Sequence, residues 1–491
     1  MNRSIYIPGL LLAAVSCNVE KTDDKLPNII IVMADDLGFG DVGCYGNKIV
    51  KTPALDAMAD EGIKFKRFYA ASPVSSPTRG SLLTGRHPYR YGIPWAGRHP
   101  LPFEEITLAE ALKTKGYATA LFGKWHLGGL SKTVIQSYFP GGPSPYSPPW
   151  KHGFDESFAT EAMMPTYNPY YHVGGDFGTE DYRYIQTEPV EKGQKSGGFR
   201  WRDHYWTGPG QIVDEWLEGD DSKIIMDRAV DFIERQSAKG KPFLSLIWFH
   251  APHTPVVAGD EYRALYSDLD IQAQHWFGMV TAMDEQVGRL RAKLRDLQIE
   301  DNTIVWFLSD NGPSYIHDFN SAGGLRGDKG ELFEGGIRVP AILEWPARIK
   351  QSSVSYLPVN TNDFYPIFLS ICGIEMENQP LLDGRDVFEL ILNGKKERSD
   401  LMFFQSPLPA RLRRFDPSNL EQFAVINNQY KLISVDNGKS FQFYDLVSDP
   451  SESIDIFNKR REKAEALKKE LRAWIKSCEN SAAGLDYQHR N

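Results

Sequence analysis

Two pairs of oxygen-bearing side chains are the residues of this chain best suited to holding a hard cation. Asp35 and Asp36 follow the apolar run from Asn28 to Ala34, and Asp310 and Asn311 follow the run from Thr303 to Leu308. Carboxylates and an amide carbonyl, with no Cys or His among them, favour Ca²⁺ or Mg²⁺ over Zn²⁺. An isolated Asp-Asp or Asp-Asn-Gly is more often a cap or a turn. Here each pair stands just past the end of an apolar strand, so one sheet edge could bring both into one cleft. Ser, His, Lys and Arg side chains able to do acid-base work and bind anions are spread along the chain, and nothing local selects among them. Taken singly they are bland. Ser75-Ser-Pro-Thr-Arg79 reads as a turn entering a helix, and Lys329 lies in what reads as a solvated charged turn with Arg326 and Asp328. His250, three residues before His253, shows that position alone does not select the reactive histidine.

The elements that must position these groups alternate. Asn28–Ala34 reads as a fully buried parallel strand. It is followed by a helix from Thr107 to Lys115, a strand from Tyr117 to Phe122, a helix from Ser222 to Ser237 and a strand from Pro242 to Phe249. A helix from Trp276 to Leu297 and a strand from Thr303 to Leu308 complete the pattern. This predicts an α/β fold, a large mostly parallel sheet sandwiched by helices. The stretch from Phe139 to Gly210, rich in Pro, Gly, Tyr and Trp without clear periodicity, predicts long surface loops. Short strand-like pieces at Phe423–Ile426, Tyr430–Val435 and Phe441–Leu446, then an amphipathic helix from Lys459 to Ile475, predict a smaller C-terminal α+β domain with an antiparallel sheet. The expected division is 26–395 and 396–491.

With 491 residues and 41% hydrophobic content the chain can bury a sizeable core. Its net charge of −9 argues against nucleic acid or an anionic membrane surface as a partner. An anionic substrate must therefore be held by a local cluster of cations. Arg3, the apolar run from Ile5 to Val15 and Ala14-Val15-Ser16-Cys17 form a targeting segment. It resembles a bacterial lipoprotein signal over residues 1–17, with Cys17 as the lipidated, membrane-anchoring residue; a plain secretory signal is the alternative. Either predicts export. Cys44, Cys372 and Cys478 remain, an odd number that is no disulfide framework.

Ser75-Ser-Pro-Thr-Arg79 running into Gly80-Ser-Leu-Leu-Thr-Gly-Arg86 resembles the signature at which sulfatases convert a Ser or Cys to formylglycine. The resemblance to the sulfatase branch of the alkaline-phosphatase-like superfamily extends to Gly123–Gly128, Ala251–Pro255, Gly324–Gly330 and Glu334–Pro340, and to Tyr444-Asp-Leu with Asp449-Pro450. It implies that Asp35, Asp36, Asp310 and Asn311 hold one Ca²⁺, that Ser75 becomes formylglycine (3-oxoalanine), and that Arg79 and Lys124 orient its hydrate. Lys124, Lys329 and His253 would bind sulfate oxygens, His126 would take a proton, and His253 would protonate the departing alcohol. The expected activity is hydrolysis of sulfate monoesters on a sulfated carbohydrate by an exported protein of the periplasm or outer membrane. An anaerobic sulfatase-maturating enzyme is the implied biosynthetic partner. The competing readings are a phosphomonoester or phosphonate hydrolase, and a sulfoglycan-binding lipoprotein in which Ser75 is never converted.

For the sugar, Tyr167, Tyr170, Tyr171 and His172, with Arg200, Trp201, Arg202, His204 and Trp206, combine flat apolar faces with hydrogen-bonding edges suited to carbohydrate rings. For any one of them, an aromatic loop packing on the sheet is an equal alternative.

Overall fold

The computed structural model describes residues 25–97, 99–134, 144–170, 204–213, 215, 217–315, 319–412 and 420–487, with the main chain of 172–173 and 187–188. The targeting segment with Cys17, and Tyr171, Arg200, Trp201 and Arg202, lie outside the described residues.

Ten strands form one sheet. Its centre is Thr303–Ser309, Asn28–Ala34, Phe243–Trp248, Ala118–Lys124 and Glu156–Thr160, in that order and all parallel. Alternation explains why it is covered twice. Ile29, Ile31 and Met33 enter one core, and Ile30, Val32 and Ala34 enter the other, so the strand reads as continuously apolar. Helices Ser75–Thr84, Leu108–Lys113 and Phe364–Ile371 cover the first face. Helices Pro53–Glu61, Asp221–Ala238 and Ile271–Asp296 cover the second. Antiparallel strands extend both ends of the sheet, Ala341–Glu344 against Thr303–Ser309 and Trp206–Gly208 against Glu156–Thr160.

The expectation of loops from Phe139 to Gly210 fails at two places in the large sheet, and His172–Val173 pairs with Thr187–Glu188 as a further short ladder. Glu156–Thr160 is a sheet strand with Ala159 opposite Gly123 and Thr160 opposite Lys124. It is covered on both faces and has only Phe158 as a large apolar side chain, so it carries no alternation to read. Trp206 begins the next strand and is 1% exposed, which makes it core.

Met402–Pro407, Glu421–Ile426, Tyr430–Ser434 and Gln442–Asp445 form a separate four-stranded antiparallel sheet. One face packs Met402, Phe404, Ala424 and Ile433 against Tyr69, Leu332, Phe333 and Ile337. The other is covered by the helix Arg461–Ala482 through Ala464, Leu467, Leu471 and Trp474. Cys372 and Cys478 are buried and Cys44 partly so, all as free thiols. Among the described residues no helix is long and apolar enough to cross a membrane.

Candidate active site

The register of the parallel strands sets the site. Ala34 lies opposite Ser309, Met33 opposite Trp248, and Trp248 opposite Gly123, so four strands end level. The Asp310 N–H donates to the Ala34 carbonyl at 3.1 Å and the Asp35 N–H to that of Ala251 at 3.0 Å. A continued strand would send Asp35 and Asp36 to opposite faces. Instead Asp36 adopts a left-handed φ of 66°, which aspartate tolerates better than most residues, and the alternation breaks. Gly123 is fixed by close approach: a Cβ there would lie 1.9 Å from the Trp248 carbonyl oxygen.

Ser75 is the first residue of the helix Ser75–Thr84, and every residue of that helix is buried. Its hydroxyl lies 3.1 Å from Asp35 Oδ1 and 3.3 Å from Asn311 Oδ1. One turn on, Arg79 donates to Asp310 Oδ2 from Nε at 3.1 Å and from Nη2 at 2.7 Å. Its Nη1 donates to the Lys124 carbonyl at 2.9 Å, while the guanidinium lies over the Trp248 ring at 5.1 Å. Lys124 Nζ donates to Asp35 Oδ2 at 2.5 Å. Lys329 Nζ reaches both Asp36 oxygens, at 2.7 and 2.8 Å. His253 Nε2 is 3.6 Å from Asp36 Oδ2, and its Nδ1 is 2.7 Å from the Thr254 carbonyl oxygen, which fixes a proton on that nitrogen.

These contacts set the protonation states. Burial alone would raise Asp35, but Lys124, His253 and Arg79 outweigh it and hold the carboxyl well below its usual value. Asp36 is lowered in the same way, against burial, chiefly by Lys329. Asp310 is pushed up to about 6 by burial and by the Asp35 charge. Burial lowers Lys124. Burial and the Lys329 cation lower His253 to about 4. His126 falls well below the ordinary histidine value through burial, then Lys124 and Arg79, which favours the neutral ring. It sits at φ 57°, and its Nδ1 is buried with no hydrogen-bond partner.

The donor set fits a hard cation. Asp35 and Asn311 point oxygens at Ser75, Asp36 accepts from the Asn311 amide at 2.7 Å, and Asp310 Oδ1 accepts from the Asp36 N–H at 3.1 Å. Asp35, Asp36 and His253 also present ligand atoms within 4.8 Å of one another. Carboxylates this close require positive charge, and the two lysines and Arg79 now supply it.

His250 does something else. Its Nδ1 is 2.7 Å from Asp221 Oδ2 and its Nε2 2.8 Å from Thr160 Oγ1, fully buried. It ties the Glu156–Thr160 strand to the segment carrying His253. Of the expected sugar-facing residues whose side chains are described, Trp206 is core, and Tyr167, Tyr170 and His204 are partly exposed. The Tyr170 hydroxyl donates to the Val213 carbonyl at 3.2 Å and accepts from the Tyr205 N–H at 3.0 Å, and the Tyr170 ring meets His204 edge-on at 5.9 Å. The main chain of His172 pairs with that of Glu188. Sequence reasoning missed Arg411 and Gln422. Arg411 donates to the Lys329 carbonyl and Gln422 to that of Gly330, across 82 and 92 residues, and no local pattern marks either.

Carboxylates, cations and a serine hydroxyl gathered at the carboxyl edge of a doubly covered sheet define a hydrolase of the alkaline-phosphatase-like fold. A family model described as Sulfatase matches residues 27–374, and one described as N-sulphoglucosamine sulphohydrolase, C-terminal, matches 326–480. N-acetylgalactosamine-6-sulfatase of Canis lupus familiaris is 34% identical over 406 residues, 77% of this chain and 68% of that protein. Steryl-sulfatase of Homo sapiens is 31% identical over 471 residues, covering 85% and 78%. The crystal structure of Ps i-CgsB in complex with k-i-k-neocarrahexaose superposes with a TM-score of 0.74 at 27% identity, covering 95% of this chain and 98% of that one. The chain belongs to the sulfatase family and is a sulfuric ester hydrolase.

Proposed function

We propose that the protein hydrolyses O-sulfate esters on a glycan, with Ser75, oxidised to formylglycine, as nucleophile and one Ca²⁺ held by Asp35, Asp36, Asp310 and Asn311. The observation that carries this reading is the Ser75 hydroxyl resting on Asp35 and Asn311 oxygens, with the Lys124 and Lys329 ammoniums bound to the same aspartate pair. The glycan is supported by the two relatives whose names specify sugars, an N-acetylgalactosamine sulfatase and a neocarrahexaose complex. An aldehyde at position 75 supplies, once hydrated, one hydroxyl to attack sulfur and a second through which sulfate is expelled. The cation, when bound, supplies Lewis-acid polarisation.

The remaining work falls to the side chains. Arg79, held on Asp310 and the Lys124 carbonyl, keeps Lys124 facing residue 75. Lys124 and Lys329 exchange carboxylate partners for sulfate oxygens and offset the charge that develops there. His126, neutral and buried, accepts a proton from the nucleophile. His253 keeps one proton on Nδ1 against Thr254 and delivers another from Nε2 to the departing alkoxide; a sulfate ester beside the ring raises its proton affinity. We also propose export through residues 1–17, with Cys17 lipidated and the protein at the periplasm or outer membrane, and conversion of Ser75 by an anaerobic maturating enzyme.

The test combines peptide mass spectrometry of the Ser75 segment with turnover of position-defined sulfated mono- and disaccharides, before and after chelation. Loss of two hydrogens from that peptide and calcium-restored desulfation of one sugar are expected. Full activity from protein with unmodified Ser75 would overturn the mechanism and favour a plain serine nucleophile, as in the phosphatase-like alternative.

A further inference from the structure

Of Arg79, Lys124 and Lys329, Lys329 alone is carried on neither strand nor helix, yet it is held from three sides. Its own N–H donates to the Pro313 carbonyl at 2.9 Å, two residues past Asn311. The next N–H, of Gly330, donates to the Pro73 carbonyl at 2.9 Å, two residues before Ser75. The third side is the antiparallel sheet. Gln422, fully buried on the Glu421–Ile426 strand, donates from Nε2 to the Gly330 carbonyl at 2.8 Å and accepts the Leu332 N–H on Oε1 at 3.1 Å. One side-chain amide thus pairs with the loop as a neighbouring strand would. Arg411 donates from Nη2 to the Lys329 carbonyl at 3.0 Å and also binds the Asp328 carboxylate. Gly330 has φ 94°, and a Cβ there would lie 2.6 Å from Pro409 Cγ, so the two parts of the chain meet with no space between them.

We propose that Gln422 and Arg411 are positioning residues for Lys329, so that the antiparallel sheet sets the affinity of the site for sulfate without touching it. The proposal rests on the role given to Lys329 above. A lysine has four rotatable side-chain bonds, and reaching both Asp36 oxygens requires a fixed Cα. A buried amide must find hydrogen-bond partners, and Gln422 finds two on this loop, on either side of Glu331. Its remaining contact, 3.2 Å to the Pro407 carbonyl, lies within its own sheet.

The experiment uses the matured full chain and variants Gln422→Leu, Arg411→Ala, Lys329→Ala and the double variant Lys329→Ala with Gln422→Leu. Titration calorimetry gives the Kd of inorganic sulfate, and kinetics on a sulfated sugar that the parent cleaves give KM and kcat. Gln422→Leu should weaken sulfate binding and raise KM by about tenfold to a hundredfold, the range a displacement on the order of 1 Å produces in a positioned group, with Arg411→Ala showing a smaller change. In the Lys329→Ala background, Gln422→Leu should change neither quantity further, because its target is gone. Equal losses in both backgrounds, or unchanged sulfate affinity in folded Gln422→Leu, would overturn the positioning role while leaving Lys329 in place. Unchanged affinity in Lys329→Ala would overturn its role at sulfate and this inference together. Should Gln422→Leu fail to fold, the same comparison is made with Arg411→Ala, whose side chain lies at the partly exposed rim.

Discussion

Two clusters of buried charge draw on the segment 324–337, one through Lys329 and the other through Glu334, and they differ in exposure. In the first, Lys124, Lys329, Arg79 and His253 surround Asp35, Asp36 and Asp310. In the second, Lys431 lies 3.3 Å from Glu334 and 3.0 Å from Glu452, with Tyr69 donating to Glu334 at 3.1 Å and Arg338, 10% exposed, 3.4 Å from Glu334 at the edge. The side chains of Lys431, Glu334 and Glu452 are wholly inaccessible. In the first cluster Lys329 is 21% exposed and His253 12%. The enclosed triad of Lys431, Glu334 and Glu452 cannot change partners, whereas an ammonium at an opening such as Lys329 can meet an incoming anion. Buried ion pairs alone therefore do not mark a site. This also reconciles a protein of net charge −9 with an anionic substrate.

The sharpest way to break the comparison is Ser75→Ala. Desulfation should fall to background while the unfolding temperature stays unchanged, because the hydroxyl contributes only two long contacts in a buried cleft. Residual turnover above background would remove Ser75 from the chemistry. Next in size, His253→Ala should lower kcat by about 10²–10⁴, the usual contribution of a general acid. His250→Asn should instead cost about 1–3 kcal/mol of stability through unpaired Asp221 and Thr160, with a much smaller change in kcat. Equal kinetic losses would show that the two histidines are not separable.

For the sealed cluster, Lys431→Met should lower stability by about 3–5 kcal/mol, the cost of leaving carboxylates buried without their cation. Urea denaturation measures this, and kcat/KM of the folded fraction should be unchanged. The smallest effect concerns pH. Burial, then the Glu334 charge, push Glu452 from its ordinary 4.5 up to about 7. The folded chain therefore keeps a proton that the unfolded chain gives up, and this stabilisation is complete below the unfolded value and lost as pH rises through the folded one. Thermal unfolding should thus be higher near about pH 5 than near about pH 8, and Glu452→Gln should flatten that difference. An unaltered slope in the variant would place the pH dependence elsewhere.

Much of the site was legible because its parts end long apolar strands: Asp35 and Asp310 follow seven-residue strands whose boundaries differ little from expectation. The helix that begins at Ile271 is expected from the sequence only at Trp276, since its first turn exposes its one large apolar side chain, Ile271, and buries only Ala273 after the Asp270 cap, which accepts from the Ala273 N–H at 2.8 Å. Glu156–Thr160 was not legible because double burial removes the alternation that identifies a strand. Trp206 reads as a sugar platform in the sequence because an aromatic ring carries no mark of whether it faces solvent or core. Gln422 and Arg411 are beyond reach for a different reason: the carbonyls they meet lie 92 and 82 residues away, a property of the assembled chain.

The Ser75–Thr84 helix starts at the residue proposed as nucleophile, and Ser75 is 1% exposed with the nine residues after it also buried. A sulfate group needs only an opening of its own size, but a second protein working on the Ser75 side chain would need the surrounding backbone laid open. With Ser75 as the converted residue, this burial imposes a timetable. Conversion has to come before the sheet edge closes, and each molecule has one interval, between synthesis and folding, in which it can become an enzyme. The active fraction of a preparation is then set by a race between two rates, and a variant that folds faster would yield more stable but less active protein.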